Sequence, residues 1–268
     1  MSPASRNPPN LPYNNPVAQP RPPTLDRPTR LQLPITNYAF PSVLTLELHS
    51  HTLASEDCLM RPADIVRTCA RAGLDRLAVT DHNTLRGALA VQALAPELVI
   101  VGEEIMTTQG ELLAYFVREE VPPGLSPVET IARLRAQGCA ISVSHPFDRL
   151  RKGAWQTPDL SAILPLVDAI EVFNARCIYP EDNARALQFA REHGKLGTVG
   201  SDAHSHRELG RAVVLLPTAA TAAELVAGLA QAQQRTRLSS PAIHFTSRFA
   251  KTWKRLRGIR AEQPGPGE

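Results

Sequence analysis

VLTLELHSHT, residues 43–52, starts as a leucine-rich apolar run and ends in two histidines one residue apart, His49 and His51. The run reads as a buried strand, with the histidines where it ends. Side chains of a strand alternate between faces, so His49 and His51 can grip one ion while Ser50 points elsewhere. Glu47 stands on the same face one step deeper, as support beneath the pair. Five further apolar runs follow at 75–80 (DRLAVT), 97–102 (ELVIVG), 139–144 (CAISVS), 168–173 (DAIEVF) and 195–200 (KLGTVG), most of them separated by stretches of helical period. Strand then helix, repeated, predicts a parallel sheet with both faces covered.

Helix punctuation agrees with that framework. Pro62 and Asp64 open a helix that Gly73 closes; Ser126, Pro127 and Glu129 make a capping-box start that ends at Gly138; Pro180 opens one that ends at Gly194. One segment departs from the alternation. In IMTTQGELLAYFV (105–117), Gln109-Gly110 between β-prone runs predicts a hairpin inserted after the third strand.

Every predicted strand delivers a polar, metal-ligand type of residue at its C-terminal end. The first ends in His49 and His51, the second in Asp81-His82, the third in Glu103-Glu104, the fourth in His145, the fifth in Glu171 with Asn174, and the sixth in Asp202 and His204. In a closed parallel barrel these ends converge on one face, where the loops build an active site. Isolated histidines after strands are usually structural, but six strand ends all carrying His, Asp or Glu imply a metal site. The imidazoles and carboxylates outnumber the places around one tetrahedral ion, and their mixture favours zinc, manganese or iron over calcium. A cluster of two or three divalent metals is expected, suited to clamping a phosphoryl group and activating a water.

Composition bounds the rest. The 268 residues are 43% hydrophobic and only 5% aromatic, with a net charge of +3, which is too small to make nucleic acid the partner of the whole domain. No window reaches the roughly 18 apolar residues of a membrane span, and the polar, proline-rich start lacks a signal peptide's apolar core. Four scattered cysteines without a C-x-x-C pair suit a reducing compartment, and the expected location is cytoplasmic. Residues 1–41 hold eleven of the 24 prolines and read as a disordered arm. Residues 42–245 are expected to form the domain that carries the metal site, and 246–268 a basic tail or short helix carrying Arg248, Lys251, Lys254, Arg255, Arg257 and Arg260. The tail is either a solvated segment or an element for a phosphate-rich partner such as short nucleic acid.

LHSHT, VTDHN, the Gly-x-Glu of GEE, SHPFD and GSDAH together resemble the motif set of the PHP (polymerase and histidinol phosphatase) superfamily of metal-dependent phosphoesterases, over about residues 43–215. The resemblance implies a distorted seven-stranded, TIM-like (β/α) barrel with the active site at the C-terminal strand ends. Carried over motif by motif, it implies His49, His51, His82, Glu104, His145, Asp202 and His204 as ligands. SEDC (55–58) supplies a further acidic ligand, either Glu56 or Asp57, and Glu111 stands where relatives with three metals often have a histidine. Behind the ligands, Asp81 is expected to orient His82, with Glu47 and Glu171 in supporting places. Arg149, Arg176 and Arg207, with Asn174, are the candidate substrate-binding residues.

The implied reaction is hydrolysis of a phosphate ester by a water that the metals activate, with His145, Asp202 and His204 nearby. The first-choice substrate is a nucleotide, of the nucleoside 3′,5′-bisphosphate kind, or the 5′ end of an oligonucleotide. A histidinol-phosphate-like small molecule comes second. A non-catalytic metal-binding module is the reading from another class.

Overall fold

The computed structural model describes residues 43–151 and 153–258. The proline-rich arm and the last ten residues of the tail lie outside the described residues. Within them the chain runs β1 (Leu44–Glu47), α1 (Pro62–Ala72), β2 (Arg76–Val79), α2 (Arg86–Gln92), β3 (Val99–Met106), β4 (Glu111–Tyr115), α3 (Pro127–Ala136), β5 (Ala140–Val143), α4 (Thr157–Ile163), β6 (Ala169–Asn174), α5 (Pro180–Glu192), β7 (Leu196–Gly200), β8 (Ala212–Leu216), α6 (Ala222–Leu229), β9 (Gln233–Thr236) and α7 (Ile243–Leu256).

The strands form one sheet in the order β7-β6-β5-β4-β3-β2-β1-β8-β9. It is parallel from β1 to β3 and again from β5 to β7. The hairpin around Gln109-Gly110 makes β4 antiparallel to both β3 and β5. On the other side, β8 pairs antiparallel with β1 and β9 with β8. Gln234 of β9 donates from Nε2 to the Gly197 carbonyl of β7 at 3.3 Å, so the two edges approach and the barrel is nearly closed. The seven strands expected from the motif resemblance are therefore nine. The β3–β4 hairpin and the antiparallel pair β8 and β9, joined through α6, carry the sheet past the six apolar runs read from sequence.

Local chemistry explains the boundaries. Pro62 opens α1, Asp64 lies in its first turn, and Gly73 closes it at φ 66°, a conformation that costs glycine little. At α3 the Ser126 hydroxyl accepts from the Glu129 N–H at 3.2 Å. The helices wrap a core of Leu46, Ile65, Leu77, Ile100, Leu113 and Ile141, each fully or almost fully buried. Burial of one such side chain stabilises the fold by about 1.5–3 kcal/mol. All four cysteines are buried and unpaired, Cys69 and Cys139 among the core. No helix among the described residues is long and apolar enough to cross a membrane.

Candidate metal centre

The apolar register of each parallel strand stops just before its polar terminus, so the termini of β1, β2, β5 and β7 place His49, His51, His82, His145, Asp202 and His204 around one point. Glu104 arrives from within β3 and Glu111 from the start of β4, whose reversed direction puts its beginning beside the end of β3. Apart from His82, at 21%, these ligand-type side chains are at most 8% exposed.

Three histidines are locked with one nitrogen outward and the other toward the centre. His49 donates from Nδ1 to Glu171 Oε1 at 2.9 Å, and His204 donates from Nδ1 to the Asp202 carbonyl at 2.8 Å. Ser55 spends its hydroxyl proton on Asp81 Oδ1 at 2.6 Å, so the His51 Nδ1–H donates to Ser55 Oγ at 3.1 Å. Each tie leaves Nε2 with its lone pair facing inward, the arrangement that prepares an imidazole for metal.

The inward atoms lack protein partners. His49 Nε2, His51 Nε2, His204 Nε2, Asp57 Oδ1, Glu104 Oε2 and Asp202 Oδ1 are all buried without a hydrogen bond. Leaving one such group unsatisfied costs about 1–3 kcal/mol, so six at one point call for a shared cation. Their separations suit one. Glu104 Oε2 lies 3.3 Å from His49 Nε2, 3.5 Å from His51 Nε2 and 3.0 Å from His82 Nδ1. Asp202 Oδ1 is 3.2 Å from His51 Nε2, and Asp57 Oδ1 is 3.1 Å from His204 Nε2. Two donors about 2.1 Å from one tetrahedral ion stand about 3.4 Å apart. The donors group as His49, His51 and Glu104, as His51, His82 and His204, and as His82, Glu104 and Glu111. Oxygen and imidazole donors in shared triads fit divalent metal.

The electrostatics describe a site short of positive charge. Burial opposes the charge on Glu104, yet His49 and His82 beside it hold its carboxyl well below the usual range. Burial would push the His49 imidazole down, but Glu104, Glu171 and Asp202 hold it well above the ordinary value. His51 goes the other way, well below, through burial and the neighbouring charges of His204 and His82. At Asp202 burial is outweighed by Arg151, which keeps the carboxyl well below the usual range.

The supporting residues also have definite places. Glu47, pushed up to about 7 by burial, accepts from the backbone N–H of His49 at 3.3 Å, Ser201 at 2.8 Å and Gly210 at 3.1 Å, tying β1 to the loop after β7. Glu171 holds His49 and accepts from the His145 N–H at 2.9 Å. Asp81 accepts from Thr52 and Ser55, so it acts on His51 through Ser55, where the sequence reading gave it to the His82 ring. Asp202 adopts φ 51° and Asn83, next to His82, φ 55°; Asp and Asn are the non-glycine residues that best tolerate this left-handed backbone.

The substrate-side candidates fare differently. Of the acidic pair, Asp57 faces the cluster, whereas Glu56 is 55% exposed and ion-paired with Lys251 on α7. Arg149 is spent on Asp182 at 2.7 Å, over the Tyr179 ring. Arg176 is buried, donating to Ser247 Oγ at 2.7 Å and to the Asp202 carbonyl, and so acts as a brace. Asn174 is buried with its amide on Glu171 and Asp202, and Arg207 is exposed on the loop after β7. Sequence reasoning missed Arg151, which reaches over Asp148 to pair with Asp202 at the cluster. The signal was the basic run RLRK (149–152), in which only Arg149 drew notice.

A parallel-strand barrel with an imidazole and carboxylate cluster at its strand ends is the architecture of a barrel metalloenzyme. Comparison with known proteins gives the family. The PHP domain model matches residues 47–133 and the PHP-associated model residues 180–233. The uncharacterized protein MJ1587 of Methanocaldococcus jannaschii is 36% identical over 143 residues, 48% of this chain and 81% of that protein. Among solved structures, a two-domain protein of Bacteroides vulgatus containing a predicted PHP-like metal-dependent phosphoesterase superposes with a TM-score of 0.58 at 19% identity, covering 73% of this chain and 65% of that one. The lesion-specific endonuclease EndoQ of Pyrococcus furiosus superposes with a TM-score of 0.50 at 15% identity, covering 72% of this chain and 57% of that one. The chain belongs to the PHP family of metal-dependent phosphoesterases, hydrolases of phosphate ester bonds.

Proposed function

We propose that the cluster at the strand ends is the active site, that it holds two or three divalent ions, and that it hydrolyses a phosphate ester of a nucleotide or of an oligonucleotide 5′ end. The observation that carries this reading is the set of six buried, partnerless donor atoms converging from β1, β3 and the loops after β1 and β7. His49, His51, Asp57, His82, Glu104, Glu111, His145, Asp202 and His204 would hold the ions. When bound, such ions polarise a phosphoryl oxygen and lower the pKa of a water.

The chain's own residues do the rest. Glu171, Ser55 with Asp81, and the Asp202 carbonyl fix the imidazole orientations, so little reorganisation is needed when substrate arrives. Arg151, 20% exposed and already at the cluster, is the guanidinium suited to take up charge on the phosphoryl oxygens, in the role the sequence reading gives to Arg149, Arg176 and Arg207. The fold likeness to a lesion-specific endonuclease and the exposed Arg248 and Arg255 of α7 favour a nucleotide-type substrate over histidinol phosphate.

Elemental analysis of the purified protein tests the site. Two or three divalent ions per chain are expected in the wild type and a clear deficit in Asp202→Asn, a change that removes the carboxylate but keeps a residue suited to φ 51°. Fewer than two ions in the wild type, or an unchanged content in the variant, would remove the support.

A further inference from the structure

Helix α7 turns an aromatic face outward. An ordinary surface helix buries its apolar stripe and exposes its polar one, but α7 buries Ser247 and Lys254 beside Ala250 and leaves Phe245 72% exposed, Phe249 61% and Trp253 40%. Polar anchors hold the inward face. Lys254 donates to the carbonyls of Leu53, at 2.6 Å, and Ser55, and Ser247 receives Arg176; at the surface Lys251 pairs with Glu56. Those anchors are the loop that carries Asp57 and the brace behind Asp202, so the helix is fixed to the metal centre's own walls. The aromatic face is therefore presented in a set position.

That face lines a cleft next to the cluster. The cleft, of about 340 Å³, is lined by Leu59, Met60, Phe245 and Phe249 together with His204, whose imidazole turns inward to the cluster. From it the side chains continue at helical spacing: Phe249 stacks on Trp253 with ring centroids 6.0 Å apart and planes 25° apart, and the Arg257 guanidinium lies 4.6 Å over the Trp253 ring. Arg248 and Arg255 are exposed alongside. Flat rings in near-parallel array, interleaved with guanidinium groups and leading from a phosphoryl site, match the chemistry of base stacking. A charged or sugar-only leaving group would gain nothing from these walls.

We propose that the cleft between His204 and Phe249 binds the planar base of the substrate, with Trp253 and Arg257 extending the platform to a neighbouring base when the substrate is an oligonucleotide. This inference rests on the phosphoesterase reading and assigns a place to the base that its nucleotide substrate carries. Mononucleotide and oligonucleotide share the recognised chemistry and are separated by the reach of the platform.

The test measures binding to the full-length, metal-loaded protein by calorimetry, using adenosine 5′-monophosphate, ribose 5-phosphate and a 5′-phosphorylated tetrathymidylate as probes. The monophosphate should bind at least fivefold more tightly than ribose 5-phosphate. Phe249→Ala, an exposed substitution that leaves the core intact, should weaken the monophosphate roughly five- to a hundredfold, the value of one stacked base, and leave ribose 5-phosphate unchanged. Trp253→Ala should weaken the tetramer alone if an oligonucleotide is the ligand; a tetramer no tighter than the monophosphate, with Phe249 still required, assigns the cleft to a mononucleotide. Equal binding of the monophosphate and ribose 5-phosphate, or an equal loss of both in Phe249→Ala, overturns the proposal. So does a dimer that Phe249→Ala dissociates without any base preference, which would give the face to a second copy of the chain. Failure of the underlying reading looks different: base-dependent binding persists while no ester releases phosphate.

Discussion

A strand residue's neighbour two positions away shares its face, and that single rule made most of the cluster readable. His49 with His51 and Asp202 with His204 read as such pairs, although the structure places them just past the ends of β1 and β7 and turns Asp202 to φ 51°, and His82 and His145 follow directly on apolar runs. The acidic pair at 56 and 57 was undecidable because a loop has no fixed period; packing against α7 turns Glu56 outward and leaves Asp57 to His204. Arginines were the least legible, since a guanidinium reaches several ångströms and its partner is chosen by tertiary contacts. Asp182 takes Arg149 and Ser247 takes Arg176, leaving Arg151 for the site. Glu171 shows what a residue behind the ligands contributes. Its replacement in Glu171→Gln should weaken metal affinity about 10- to 100-fold with little change in melting temperature, as read by competition with a chromophoric chelator; an unchanged affinity would make its bond to His49 incidental.

Elements were legible where they were apolar or capped. All six predicted strands form, the helix starts at Pro62, Pro127 and Pro180 hold, and the Gln109-Gly110 hairpin is present. β9 gave no signal because QQRT is polar and exposed at every position, an edge strand held by its backbone ladder to β8. β7 depends on close approach. A Cβ added at Gly200 would meet His49 Cβ at 2.3 Å and Glu171 Oε1 at 2.6 Å, neither of which can retreat without moving the cluster. Gly200→Ala should cost about 1–3 kcal/mol and impair metal binding together, measured by denaturant melts and metal content; normal stability would show that the strand has room to move. At α6 the carboxylate of Glu224 accepts from the Thr218 hydroxyl and, at 3.0 Å, from the Ala220 N–H, which hold it below the ordinary carboxylate value. A depressed folded-state pKa stabilises above the unfolded value and is lost as pH falls through the folded one. Glu224→Gln should therefore lower the melting temperature at neutral pH, with the gap from wild type closing in acid; a gap independent of pH would assign the effect to shape alone.

Most of the buried ionisable groups among the described residues gather at the strand ends, above a core that is mainly apolar. Such a cluster opposes its own burial unless cations share it, which is why the architecture and the chemistry are one design. Parallel strands bring the proposed ligands, separated by more than 150 residues of chain from His49 to His204, to a common point. The family was legible from those ligand motifs because they lie at strand ends. The substrate was less so, because the walls proposed to bind it come from α7, whose aromatic face has no counterpart in the motif pattern. The decisive measurement is inorganic phosphate released from a panel of nucleotides and 5′-phosphorylated oligonucleotides by protein stripped with chelator and then titrated with Mn²⁺. Release should vanish on stripping, return with added metal in the wild type, and stay absent in Asp202→Asn. Release that survives stripping, or that Asp202→Asn restores as fully as the wild type, would contradict a metal-dependent phosphoesterase built on this cluster.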